Sequence, residues 1–87
     1  MERKCTLSGT AIVVLDRGFV YVGEVDVDKE WCIINNARNI RIWGTSNGLG
    51  QLALEGPNDK TKLDNVGVVR APIKSLIHII DTDGDKW

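Results

Sequence analysis

Apolar and polar positions alternate through the first half of the chain with the two-residue period of a strand that faces a core on one side and solvent on the other. The run Thr10-Ala11-Ile12-Val13-Val14-Leu15 is rich in β-branched residues and closes on the turn cluster Asp16-Arg17-Gly18, which predicts a hairpin. Its return arm covers residues 19–28, where Glu24, Asp26 and Asp28 alternate with Val25 and Val27. Gly23 interrupts this arm, and a glycine inside a strand marks a bulge or a sharp bend, the device by which a small barrel closes. Trp31 to Asn35 and Arg38 to Trp43 read as two further short strands, separated by the turn-prone pair Asn35-Asn36.

The period breaks at residues 44–57. Gly44, Gly48 and Gly50 surround the polar residues Thr45, Ser46 and Asn47, and Gln51-Leu52-Ala53-Leu54-Glu55 follows as one or two helical turns ended by Gly56-Pro57. After a polar stretch at 58–65 the strand pattern returns in Val66-Gly67-Val68-Val69-Arg70, and Ile77-His78-Ile79-Ile80-Asp81 supplies a last strand. Pro72 cannot donate to a central ladder and biases Ala71 towards extended geometry. The expected fold is therefore mainly β, a small open barrel of the SH3-like or Sm-like kind with a short helical insertion, a sandwich being the alternative. The expected organisation is one small β domain over residues 1–87. It has an N-terminal arm at 1–9, a glycine-rich loop and short helix at 44–57, and an acidic solvated tail at 82–87.

Composition narrows the function classes. With 87 residues, 43% hydrophobic and 26% charged, there is one soluble core, and a chain of this size buries only roughly 60% of its unfolded surface, which leaves little room for a deep channel in one subunit. Any pocket should be shallow or shared between copies. Lys+Arg 11 against Asp+Glu 12 gives a net charge of -1, so no global positive field recruits nucleic acid. The charged start Met1-Glu2-Arg3-Lys4 and the short apolar run that follows do not make a signal peptide or a membrane span, so a cytosolic setting is expected. Cys5 and Cys32 form no metal or redox pattern, and Cys32, inside Trp31-Cys32-Ile33-Ile34, reads as a small core residue.

Most catalytic and metal chemistry fails on spacing. Gly48-Leu49-Gly50-Gln51-Leu52-Ala53 matches a G-x-G-x-x-A dinucleotide fingerprint, but that motif needs a βαβ unit and Gly56-Pro57 stops the helix almost at once. Asp81-Thr82-Asp83-Gly84-Asp85 opens like a calcium loop with its glycine too early. His78 has no second ligand at metal spacing, and Ser8, Ser46 and Ser75 lack the context of a nucleophile. No catalytic residue, metal site or cofactor is assigned.

Two readings of the segment around Trp43 stand side by side. If Ile40 and Ile42 face inward, Arg41 and Trp43 share the outer face, where a planar guanidinium and an indole make a recognition pair for anionic and ring-bearing groups. Alternatively Trp43 is a core aromatic that caps an open barrel end. On the first reading the ligand-binding candidates are Arg41, Trp43, Gly44, Thr45, Gly48, Leu49, Gly50 and Arg70. The glycines permit close approach, and the helix start offers N–H groups to an anion.

The pattern Asn36-Ala37-x-x-Ile40-Arg41-x-Trp43-Gly44-Thr45-x-x-Gly48-Leu49-Gly50-x-Leu52-Ala53-x-x-Gly56-Pro57 resembles a family of small proteins of tailed bacteriophages and prophages. The likeness extends to Thr61-x-Leu63-Asp64-x-x-Gly67-x-Val69-Arg70-x-Pro72 and upstream to Phe19-Val20-Tyr21-Val22-Gly23, with Ile42 and Ala71 departing from the family pattern. It implies a phage origin, hence work in the host cytoplasm, and brings no activity with it.

The leading expectation is a noncatalytic binding protein that counters host defence by sequestering a nucleotide-like signalling ligand at the Arg-Trp-Gly loop. Open edge strands favour a homo-oligomer, which would also create pockets between subunits. Alternatives are an inhibitor that sets the acidic face of Glu24, Asp26, Asp28 and Glu30 against a basic surface of a host nuclease or effector, and an accessory phage structural or nucleic-acid-binding small barrel. Neither nucleic acid nor a membrane is an expected partner.

Overall fold

A computed structural model describes residues 10–83 and 85–87. Five strands follow one another along the described residues: β1 (Ala11–Leu15), β2 (Val20–Val27), β3 (Trp31–Ile42), β4 (Lys62–Pro72) and β5 (Leu76–Asp81). A helix, α1 (Gly48–Glu55), lies between β3 and β4. All neighbours are antiparallel in a single sheet of order β4-β3-β2-β1-β5. The chain is thus mainly β and its fold open, as expected: β4 and β5 remain the two edges, and the sheet is not closed into a barrel. The N-terminal arm assigned to 1–9, with Cys5, lies outside the described residues.

The β1–β2 hairpin turns where the sequence places it, through a 3-10 turn at Asp16–Gly18 in which Arg17 and Gly18 take φ of 63° and 82°. β3 corrects the sequence reading. The two short strands expected around Asn35-Asn36 are one strand of 12 residues, and Asn36 sits inside it at φ 52°, where the β3–β4 register slips. Asparagine tolerates this left-handed geometry, so the pair makes a bulge rather than a break. β4 likewise starts earlier than expected: its polar beginning, Lys62 to Asn65, pairs along the edge of the sheet.

Gly23 is the pivot of the bend. A Cβ built there would stand 2.7 Å from both Asn35 O and Ile34 Cγ2, so only glycine lets β2 cross β3 this closely, and the β2–β3 register shifts between Val22 and Glu24. The bend lets one sheet bury both its faces. On one side Ala11, Val13 and Leu15 of β1 pack with Val25, Cys32, Ile34, Ala37 and Ala71 from the other strands. On the opposite side Ile12, Val20, Val22 and Ile40 meet Leu52 and Ala53 of α1. Cys32 is fully buried, as its apolar context requires.

The segment after β5 is the second correction. Residues 82–87 were expected to be a solvated acidic tail, yet Thr82 is buried and its hydroxyl donates to the Thr10 carbonyl. Asp83 N donates to Ala53 O at 3.0 Å, and Trp87 packs on the α1 side of the core with its Nε1 donating to the same carbonyl at 3.2 Å. The apolar area of an indole outweighs the hydration of the neighbouring carboxylates, which still point to solvent. Among the described residues no helix is long and apolar enough to cross a membrane.

Candidate functional site

β3 delivers the candidate recognition residues at its end. Ile40 is buried against α1, as the alternation requires, but pairing with β4 slips between Ile40 and Ile42 and leaves Ile42 47% exposed. That corrects the expectation that both isoleucines face inward. Trp43 is 41% exposed, so it is neither a closed core residue nor a free flap. Its six-membered ring lies beside the start of α1, 3.8 Å from the Cβ position of Gly48.

The loop around it is braced by its own polar groups. Thr61 Oγ1 donates to the Trp43 carbonyl at 2.8 Å and Asn58 Nδ2 donates to the Gly44 carbonyl at 2.8 Å. Gly44 has φ 75°, and a Cβ there would meet Lys60 C and Thr61 N at 2.6 Å, so this glycine serves both a left-handed turn and a close backbone crossing. Thr45 Oγ1 donates to Gly48 O at 2.7 Å. Gln51 Oε1 accepts the Asn47 N–H at 2.8 Å, so one donor of the helix start is met from within the helix. α1 begins three residues earlier than the sequence reading placed it. Gly48 and Gly50 are poor helix formers that the Leu49, Leu52 and Ala53 contacts with the core hold in place.

Electrostatics at the site are set by a pair. Arg41 Nε lies 2.9 Å from Asp64 Oδ2 and its second fork nitrogen 3.4 Å from Oδ1, which raises the Arg41 pKa through the hydrogen bond and then the charge of Asp64. The guanidinium expected to await an anion thus already faces a carboxylate. A shallow depression lined by Gly44, Asn58, Asp59 and Lys60 lies alongside.

Of the candidate residues, the structure brings Arg41, Trp43, Gly44, Thr45, Gly48, Leu49 and Gly50 to one end of the sheet. Leu49, within α1, is packed against the core, and among the described residues nothing stands within 4 Å of a Cβ at Gly50. Arg70 is not with them. It pairs with Ile33, whereas Asp64 of the same strand pairs with Asn39, six residues or about 20 Å along β4. On the acidic face, Asp28 Oδ1 accepts the Glu30 and Trp31 N–H groups at 2.8 Å, which lowers the Asp28 pKa and gives that carboxylate a structural task in the β2–β3 turn.

Two residues escaped the sequence reading. Arg38 stacks its guanidinium over the ring of Trp87, 5.8 Å from the centroid, a contact between positions 49 residues apart that periodicity does not show. Among the described residues no group of three or more His, Cys, Asp or Glu is placed to hold a metal ion. Comparison of the chain with known protein families, with curated proteins and with solved structures gives no match.

Proposed function

We propose that the protein is a noncatalytic, phage-encoded binding module that counters host defence by sequestering a nucleotide-like signalling ligand, with Trp43 as the stacking platform. The observation that carries this reading is an indole 41% exposed on a loop whose backbone is fixed by hydrogen bonds from Asn58 and Thr61. A rigid, half-exposed aromatic presents stacking area with little ordering cost on binding. Arg41 enters by exchange, trading Asp64 for an anionic group of the ligand. The phage setting and the host cytoplasm come from the family resemblance. The finer fold assignment, SH3-like or Sm-like, is supported by a four-strand meander whose fifth strand returns beside the first after a 3-10 turn at Ile73–Ser75. Edges at β4 and β5 that are unpaired among the described residues support self-association.

Differential scanning fluorimetry against cyclic dinucleotides and ADP-ribose derivatives tests the reading. Stabilisation that grows with ligand concentration is expected. No shift with any of them at millimolar ligand would overturn it.

One observation favours a second reading, a protein-protein inhibitor of a host nuclease or effector. Ile42 and Trp43 are exposed and follow directly on Arg41, whose guanidinium pairs with Asp64, and such a mix of exposed apolar and charged groups has the composition of a protein contact. Purification from infected cells should then retain one stoichiometric host protein, released by Trp43→Ala.

A further inference from the structure

The bend that closes the core also opens a hollow. Opposite Gly23, Asn36 at φ 52° and Gly67 at φ 84° bulge out of β3 and β4, and both flanking registers slip. The strands part around an open space of about 390 Å³ whose lining includes Glu24, Asn36, Arg38, Asn65 and Gly67. That volume sits at the low end of small-ligand pockets, matching one nucleotide better than two. No neighbour lies within 4 Å of a Cβ at Gly67, so nothing of the described chain fills the space above it.

The side chains around this hollow have unspent hydrogen-bonding capacity. Arg38 is half-buried, and the ring of Trp87 covers the face of its guanidinium. Stacking uses the face of that plane and leaves the N–H donors around its edge. No described carboxylate meets those donors, in contrast to Arg41, which faces Asp64. The side-chain amides of Asn36 and Asn65 make no hydrogen bond within the described chain. Glu24 lines the same space and adds an acceptor that repels a bare polyanion. A negative group suits the Arg38 donors best, an edge of mixed donors and acceptors suits Glu24, Asn36 and Asn65, and a purine nucleotide has both.

We infer that the bend hollow is a mononucleotide site. Arg38 takes the phosphate, Asn36 and Asn65 read the base edge, and Glu24 accepts from a ring or exocyclic N–H. The inference rests on the reading of this protein as a nucleotide binder but uses a different surface from Trp43.

Isothermal titration of the full chain with AMP, GMP and inorganic phosphate tests it, using wild type, Arg38→Gln, Asn65→Leu, Trp43→Ala and, as a control on an exposed residue away from both surfaces, Lys74→Gln, each confirmed folded by its thermal melt. The expected result is binding of a purine mononucleotide that weakens at least roughly tenfold in both Arg38→Gln and Asn65→Leu and changes less than about twofold in Lys74→Gln. If Arg38→Gln fails to fold, Asn65→Leu decides alone. Absence of binding by wild type at millimolar AMP and GMP, wild-type affinity in Asn65→Leu, or equal affinity for inorganic phosphate would each overturn it. Loss in Trp43→Ala alone would overturn it too, while leaving the Trp43 reading in place.

Discussion

Arg41 and Asp64 form a two-point ion pair across β3 and β4, with contacts of 2.9 and 3.4 Å on side chains that are both well exposed. The pair holds the guanidinium plane in position while neutralising it, so an anionic ligand must compete with Asp64. Asp64→Asn removes the competitor and keeps the shape. Affinity for a nucleotide-like ligand should rise several-fold while the melting temperature stays nearly unchanged, because exposed pairs contribute little to stability. Titration calorimetry and a thermal melt on the same sample check both halves.

Gly23→Ala should destabilise the protein by about 1–3 kcal/mol, because a methyl group there overlaps Asn35 O and Ile34 Cγ2 and the bend must open. Urea denaturation measures this directly. The glycine was legible as a bend from its place inside an alternating strand. Its partner was not: Asn35-Asn36 has the composition of a turn, and only the long β3–β4 pairing makes Asn36 a bulge instead of a strand end.

Trp87→Ala should lower stability by about 1–3 kcal/mol, the range for losing a partly buried aromatic and its hydrogen bond. It should also lower the protection of Asp83 N–H, which donates to Ala53 O, against hydrogen exchange. A solvated tail would lose nothing. Local composition at 82–87 is acidic and hid this docking, since the surface that receives Trp87 is built by α1 and by strands far away in sequence. The candidate site was legible in the same measure. The residues from Arg41 to Gly50 are sequence neighbours and stay together, whereas Arg70 could be located only from strand register.

Acid should expose the task of Asp28. Its folded pKa is depressed by the Glu30 and Trp31 N–H groups, so its contribution is present above the ordinary aspartate value of 3.8 and is lost as pH falls through the lower folded value. Asp28→Asn keeps an acceptor oxygen but no charge. The stability difference between wild type and this variant, followed by urea denaturation, should therefore shrink below pH 4 and be constant from pH 5 to 7.

The most direct test of Trp43 as a recognition residue is a paired measurement on Trp43→Ala, thermal denaturation together with titration of whichever cyclic dinucleotide or ADP-ribose derivative stabilises the wild type. The account predicts a loss of about 1–3 kcal/mol in binding, the value of one stacked base, with a fall in melting temperature of only a few degrees because the indole is 41% exposed. A collapse of the fold, with ligand affinity intact in the fraction that remains folded, would contradict it and make Trp43 a packing residue at the open end of the sheet.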